Sequence, residues 1–301
     1  MAKQAFEEGL ALWLISKSRF ASVILFLGLH PLNAFGAFEV DQWGAHSAAM
    51  GGAFSSHVGT AEGSWFNPAL AASMQVKMFS TTHAQLFKGV PGGLKQNSGG
   101  GVVPTQYGGI TLSFAQFGND RYREQMFDMG FARRIHERFS LGLQLENQGW
   151  AYGDWERRNW SASVGGVYEI GWITPHTYAR MGLVAKGLGG NKKDGRGLTG
   201  QRPARYIVAA EIRPDQQIFA VEVVASSDEW ELRAGCETPL IEDWKLRFGG
   251  NIVSTDTLNR SVSIGLGYTW SSISFDYAYT HSYDLSSFGA THRIGIGLFG
   301  S

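Results

Sequence analysis

The sequence predicts an all-β fold: a transmembrane antiparallel β-barrel of about fourteen strands, preceded by a small N-terminal plug segment. Composition is the first observation. Glycine makes up 40 of 301 residues, aromatic residues 13% and charged residues 17%, whereas average glycine usage is about 7%. This composition suits many strands and tight turns. The mean hydropathy of −0.13 is too polar for a helical membrane protein, but it fits strands with one lipid-facing side and one polar side.

The N-terminus supplies the second observation. Lys17 and Arg19 precede the apolar run 20–29, and Ala34-Phe35-Gly36 has the small residues of a cleavage site. This pattern predicts a secretory signal peptide over residues 1–36. The alternative is a membrane anchor, but the run is about ten residues against the ~20 needed to span a bilayer. Because only closed barrels can place strands in lipid, we expect the mature chain in the bacterial outer membrane.

Period-two alternation is the third observation. Apolar and small or polar residues alternate over 261–270, 273–280 and 294–298, and again over 139–146 and 230–237. Soluble sandwiches also alternate. The membrane barrel is favoured because aromatic residues fall near strand ends, where interfacial girdles form: Trp230, Trp244, Tyr268, Trp270 and Tyr279.

Thirteen strands can be delimited in the barrel region 76–301. Their approximate bounds are 76–87, 107–117, 124–135, 138–149, 158–170, 177–187, 205–213, 216–226, 229–238, 242–253, 259–270, 272–282 and 290–299. Single-chain bacterial barrels have even strand numbers, so we expect a fourteenth strand within 89–106, around Gly101–Thr105, with twelve strands as the alternative. The tight turns are predicted at the periplasmic end and the longer connections, 150–157 and 188–204 among them, outside.

Residues 37–75 show no strand alternation and form the predicted plug. Within them, 51–71 ends in Trp65, Asn67, Pro68, Ala69 and Leu70. This segment resembles the N-terminal signature of FadL-type outer-membrane transporters and of the PorV/PorQ family. The C-terminal run 275–279, followed by Leu285, Gly289, Thr291, His292 and Arg293, is similar to the closing hairpin of the PorV/PorQ branch. The resemblance implies an accessory or shuttle barrel for protein secretion. It leaves FadL-like transport of small hydrophobic compounds as the alternative.

The candidate plug or gate residues are Trp65, Asn67, Pro68 and Ala69. Pro68 fixes φ and pushes Asn67 out of the helical region, which predicts a corner where the plug meets the first strand. Asn67 could serve as a gate, or it could simply satisfy backbone groups at the corner.

The predicted lumen face carries charges of both signs. They are Asp128, Glu146, Arg180, Lys186, Glu211, Glu222, Glu231, Arg233, Lys245, Arg247 and Asp276, of which Arg233, Lys245, Arg247 and Asp276 are the candidate lumen site. Such groups tend to pair and fill a narrow barrel, although a polar conduit is the alternative. This polarity argues against a fatty-acid tunnel, which needs an apolar lining.

Partner contacts are expected at one end of the barrel. Trp150, Tyr152 and Trp155 in an outer loop are candidate anchors for secretion-complex proteins. Lys192, Lys193, Arg196, Arg202 and Arg205 could meet lipopolysaccharide phosphates. A net charge of zero gives no general attraction to nucleic acid.

The sequence offers little for catalysis. No H-x-x-x-H or H-E-x-x-H spacing indicates a metal site, and the lone Cys236 can form no internal disulfide. No cofactor is expected. A barrel lipid hydrolase is a third candidate function, but no nucleophile motif supports an enzyme.

Overall fold

The computed structural model describes residues 42–86, 93–153, 155–189, 203–227, 229–254, 259–283 and 289–300. The predicted signal peptide lies outside the described residues, so its cleavage stays a prediction. Fourteen strands form the barrel: β1 Met78–Leu86, β2 Leu94–Thr105, β3 Gly108–Gly118, β4 Tyr122–His136, β5 Phe139–Tyr152, β6 Trp155–Thr174, β7 Thr177–Leu188, β8 Arg205–Pro214, β9 Ile218–Ala225, β10 Trp230–Ile241, β11 Trp244–Ser254, β12 Asn259–Trp270, β13 Ile273–Ser282 and β14 Thr291–Phe299.

The sheet closes on itself in sequence order. β1 pairs antiparallel with β14, from Met78↔Phe299 to Gln85↔His292, so no strand edge is left unpaired. The prediction of fourteen strands is confirmed, and the alternative of twelve is wrong. The hidden strand is β2, which pairs with β1 and β3. Its glycines at 99–101 and Pro104 interrupt the alternation on which strand recognition depends, so only its last part was expected.

The barrel is apolar outside and polar inside. On β5, the exposed fraction is 58% for Leu143 and 52% for Leu145, whereas that of Glu146 is 0%. β3 and β4 repeat this arrangement with exposed Leu112 and Phe127. A surface of this kind matches the hydrocarbon core of a bilayer and would be unfavourable in water. Within the described ranges, no helix has the length and apolarity to cross a membrane.

Exposed aromatic residues mark both ends of the strands. Tyr107, Trp172 and Trp270 lie at one end, and Trp160 and Tyr283 at the other. At the first end the connections are two or three residues long, as at 106–107, 215–217 and 271–272. The tight turns at this end agree with the expectation, but the other end also has short connections, at 119–121 and 153–154. Which end faces the cell exterior stays a prediction.

One predicted outer loop is wrong. Residues 150–157 belong mostly to strands, because β5 runs to Tyr152 and β6 begins at Trp155. Gly153, with φ of 57°, supplies the positive φ that a two-residue hairpin requires. The aromatic residues on either side favour strand, so the ladder continues to the turn.

Candidate functional site

Residues 42–77, here called the inner segment, precede β1 and lie mostly inside the barrel. They contain α1 (Ala45–Ala49), α2 (Gly63–Phe66) and a 3-10 helix, η1 (Pro68–Ser73). All residues of α1 and α2 are buried. They are covered by the inward faces of the strands, so the inner segment occupies the lumen.

Glycines on eight different strands make room for the inner segment. A Cβ built on any of them would lie 2.0–2.9 Å from an inner-segment atom, closer than real Cβ contacts allow. At Gly165 the obstacle is Asn67 Oδ1, at Gly235 it is the Met50 carbonyl, and at Gly249 it is the Gly51 nitrogen. We call these eight positions the glycine belt: Gly100, Gly109, Gly142, Gly165, Gly182, Gly235, Gly249 and Gly265.

Glu222 on β9 is the first of three carboxylates that anchor the inner segment. Its Oε2 accepts hydrogen bonds from the backbone N–H groups of Phe54 (3.1 Å) and Ser55 (2.9 Å). Its Oε1 accepts from Arg233 Nη1 at 2.8 Å. A buried carboxylate is tolerated where hydrogen bonds and a counter-charge surround it, so Glu222 ties the chain at 54–55 to the barrel wall.

Glu237 on β10 is the second anchor. His46 Nε2 lies 2.9 Å from Glu237 Oε2, and Arg247 Nε donates to the same oxygen at 2.7 Å. Arg247 Nη1 continues the chain to Asp276 Oδ1 at 2.5 Å. Lys245 Nζ lies 3.0 Å from Glu237 Oε1, with its side chain 46% exposed. Three of the four candidate lumen residues, Arg247, Asp276 and Lys245, therefore belong to the Glu237 cluster, and Arg233 belongs to the Glu222 cluster. Of these four residues, Lys245 is the one whose side chain is substantially exposed to solvent.

Glu211 on β8 is the third anchor. Its Oε2 lies 2.8 Å from His57 Nδ1, and its Oε1 accepts from Arg213 Nε at 2.6 Å. Arg213 Nη2 donates in turn to the Val58 carbonyl at 2.9 Å. On β7, Lys186 Nζ donates to the Trp65 carbonyl at 2.7 Å. The charges therefore hold the inner segment in place and do not line an open conduit.

Two titratable groups of the inner segment have shifted pKa values. Burial, followed by the charge of Arg247, lowers the pKa of His46 to about 4. Burial, followed by the charge of Asp276, raises the pKa of Glu62 to about 7. Glu62 Oε2 accepts from the Ser47 N–H at 2.9 Å. Neutral His46 and readily protonated Glu62 reduce the charge that the lumen must hold.

The Asn-Pro-Ala corner lies between α2 and η1. The expectation that it joins the plug to the first strand is wrong, because η1 and four further residues intervene before Met78. Asn67 Nδ2 donates to the carbonyls of Ser55 (2.8 Å) and Gly166 (3.1 Å), and its Oδ1 accepts from the Ala69 N–H. Asn67 thus satisfies backbone groups of the segment and the wall, and a gating role stays a prediction.

The candidate partner residues are placed on strands. Trp150 is half-buried on β5, and Tyr152 is exposed at its end. Trp155 begins β6, but its side chain lies outside the described residues. Of the proposed lipopolysaccharide contacts, Arg205 is buried on β8, which contradicts a surface role. Positions 192, 193, 196 and 202 lie outside the described residues.

An apolar cluster lies among these polar anchors. The aromatic side chains of Trp43, Phe54, Trp65 and Phe66 are 0–4% exposed, and they pack with Met50, Ala53 and the wall residues Ala115, Met126, Ile218 and Ala220. Phe54 and Phe66 have ring centroids 5.5 Å apart. The lumen therefore contains apolar contact surface that the pattern of strand charges alone did not reveal.

Comparison with solved structures finds barrels of the same fold. They include the CymD monoaromatic hydrocarbon channel (TM-score 0.57, 14% identity, covering 87% of this chain and 99% of that one). They also include the Ralstonia pickettii toluene transporter TbuX (TM-score 0.58, 12% identity, 88% and 100%). A third is a Pseudomonas aeruginosa FadL homologue (TM-score 0.57, 12% identity, 90% and 99%).

The fold is therefore that of FadL-type outer-membrane barrels. Comparison of the sequence with protein-family models and with curated proteins gives no match. The resemblance noted in the sequence is supported at the level of the FadL-like fold, and the PorV/PorQ branch stays a prediction.

Several residues of this site were not anticipated. His46, His57 and Glu62 lie in the region without strand alternation, where no pattern distinguishes them. The glycine belt had a detectable signal, because its members occupy the inward side of the alternation. That signal predicts close contact only once the inner segment is known to lie inside.

Proposed function

We propose that this chain is an outer-membrane channel of the FadL type that passes small hydrophobic compounds, with the inner segment as its internal plug. The apolar cluster of Trp43, Phe54, Trp65 and Phe66 inside a membrane-type barrel carries this proposal. Small-molecule sites in proteins are concave and mostly apolar, with a few polar groups. Barrels of the same fold are described as monoaromatic hydrocarbon channels and toluene transporters.

The charged lumen does not oppose this proposal. The carboxylates of Glu211, Glu222 and Glu237 have arginine, histidine or backbone N–H groups as close partners. Because these groups are occupied in holding the segment, a hydrophobic compound would meet the aromatic side chains. Passage then requires the inner segment to shift from the glycine belt.

A reversible lock tests the movement of the inner segment. The Ala45 Cβ lies 3.1 Å from a Cβ built at Gly295 on β14, close to the 3.5–4.5 Å that a disulfide spans. We expect an A45C/G295C variant, made with C236S, to hold α1 against the wall when oxidised. Reduction should release it.

The measurement is the initial rate of radiolabelled toluene uptake by cells of a strain without other such channels. The unmodified protein should raise the rate above that of cells lacking it. The oxidised double variant should remove the increase and reduction should restore it, while oxidised A45C/C236S should behave as the unmodified protein. No increase with the unmodified protein would contradict the channel. An increase that is insensitive to the lock would contradict the plug.

Docking of secreted proteins, the role implied by the PorV/PorQ resemblance, is the second candidate. It is favoured by the filled lumen and by exposed aromatic residues at the β5–β6 hairpin, Tyr152 (61%) and Trp160 (64%). Purification from native outer membranes in mild detergent tests it. A secretion complex that co-purifies with the protein and is lost from a Y152A/W160A variant would support docking over transport.

A further inference from the structure

A second polar cluster lines the inner wall of β4–β6, apart from the three anchors. Asp128 on β4 and Glu146 on β5 are directly opposite each other in the ladder, and they are 1% and 0% exposed. Side chains opposite each other in an antiparallel pair have Cβ atoms about 4.5–5.5 Å apart, and like charges there repel. The pair therefore requires a compensating positive charge or a proton.

Oxygen acceptors without partners surround this pair. Gln144 and Gln148 are the neighbours of Glu146 on the inward face of β5, and they are 3% and 6% exposed. Asp128 Oδ1, Gln144 Oε1 and Gln148 Oε1 have no hydrogen-bond partner among the described residues. Buried polar atoms in folded proteins nearly always have hydrogen-bond partners. Three unpartnered oxygen acceptors around one carboxylate pair therefore point to a bound group.

The hydroxyl and ammonium donors nearby are already engaged. Glu146 accepts from the hydroxyls of Ser161 (3.2 Å) and Ser163 and from Gln148 Nε2 (3.2 Å). Asp128 Oδ2 accepts from Ser113 Oγ at 3.4 Å. Lys186 Nζ donates to the Trp65 carbonyl, and no ion pair joins it to either carboxylate in the part of the chain that the structure describes. Lys186 is the positive charge that acts on Asp128, so with both carboxylates ionised the cluster holds two negative charges against one positive charge. It also keeps unused oxygen lone pairs.

We infer that Asp128, Glu146, Gln144 and Gln148 bind a hard divalent cation of the Ca²⁺ type inside the barrel. The donor set is all oxygen, two carboxylates and two carboxamides, and Ca²⁺ takes 6–8 oxygen ligands in flexible geometry. Water completes the shell. In the described residues no group of three or more His, Cys, Asp or Glu side chains forms a metal site, so the two amides are essential to this one.

The site links the wall to the inner segment. Lys186 reaches the Trp65 carbonyl, and Met126, the inward neighbour of Asp128 on β4, packs in the apolar cluster with Trp65. A cation that binds the folded barrel and not the unfolded chain stabilises the fold by mass action. Occupancy should therefore stabilise the barrel region against which Trp65 rests.

Thermal unfolding tests this inference in protein refolded into detergent without lipopolysaccharide, which itself binds divalent cations. Ca²⁺ should raise the Tm of the unmodified protein relative to EDTA. D128N and E146Q should lose that response, and in EDTA both should melt above the unmodified protein because the repulsion is gone. D120N, at an exposed position, is the matched control and should keep the full response.

Terbium luminescence gives a readout that does not depend on stability. Trp150 is the next inward residue of β5 after Gln148, about 7 Å along the strand, and should sensitise bound Tb³⁺. The signal should be displaced by Ca²⁺ and absent from D128N and E146Q. If Ca²⁺ does not change the Tm of the unmodified protein while D128N still melts above it, the two carboxylates share a proton. That result would overturn the proposed cation site. Unchanged luminescence in D128N would overturn it as well.

Discussion

At the scale of single residues, buried polar side chains determine how the inner segment is held. Asn67 is 0% exposed, and its amide joins the Ser55 carbonyl on the segment to the Gly166 carbonyl on β6. Glu62 is 3% exposed and accepts from the Ser47 N–H. Each makes contacts that an apolar side chain could not replace, so each gives a measurable prediction.

Asn67→Ala should lower the free energy of unfolding by about 1–3 kcal/mol, because the buried carbonyls and the Ala69 N–H lose their partner. Urea titration of the folded barrel in detergent measures it. Asn97→Ala is the matched control, since the Asn97 side chain bonds His83 at an exposed position and its loss should change little. Equal effects of the two substitutions would contradict the bridging role of Asn67.

Glu62 should make stability depend on pH. Its pKa is raised to about 7 in the folded protein, above its unfolded value, so the folded state holds the proton more tightly. Stability should therefore fall as pH rises from about 4.5 to 7. Glu62→Gln, which resembles the protonated form, should remove this part of the slope, whereas E156Q at an exposed position should not. An unchanged slope in E62Q would contradict the assignment.

At the scale of elements, the glycine belt lets eight strands pack closely against the irregular inner segment. Each belt position lies where backbone or side-chain atoms of the segment touch the wall. A strand gains nothing from an interior glycine, so its presence on eight inward faces is explained by the fit of the segment. The same requirement accounts for part of the high glycine content.

Gly249→Ala should disturb this fit. The added Cβ would lie 2.1 Å from the Gly51 nitrogen, and overpacking of this kind costs about 1–3 kcal/mol. Limited proteolysis should show earlier cleavage within residues 42–77. Gly166→Ala, whose Cβ would lie 3.3 Å from the Phe139 ring and 3.9 Å from the Ser140 carbonyl and near no atom of the inner segment, should resist proteolysis as the unmodified protein does. Identical digestion of both variants would count against the belt.

The sequence predicts the strands better than it predicts the contacts of the inner segment. Regular alternation on β5 and β12 predicts which side chains face inward, because period two is a local property of the chain. It also predicts both bounds of β12, whereas β5 runs three residues past its predicted end. β2 was found only from the even-number rule, since its three consecutive glycines carry no facing information. The partners of Glu222 and Glu237 could not be predicted, because Ser55 and His46 are distant in sequence and no local pattern encodes their position.

At the scale of the whole molecule, apolar side chains cover the outside and polar ones fill the inside. This distribution makes the barrel wall a membrane-spanning surface, and it predicts a depth-dependent cost for charge. Leu145→Arg, in the middle of β5 with 52% of the side chain exposed, should destabilise the protein in lipid by about 2–4 kcal/mol. Tyr107→Arg, in the β2–β3 turn, should cost about 0–1 kcal/mol. Folding titrations into liposomes measure both, and equal costs would contradict the proposed membrane span.

The central claim is that the inner segment closes the barrel and is held there by three carboxylates. Conductance in planar lipid bilayers tests it most directly, by comparing the unmodified protein with the E211Q/E222Q/E237Q variant. The unmodified protein should show no steady ion current, because the lumen is filled. The variant, with its ion pairs weakened, should show discrete openings. A steady current through the unmodified protein, equal to that of the variant, would contradict the claim.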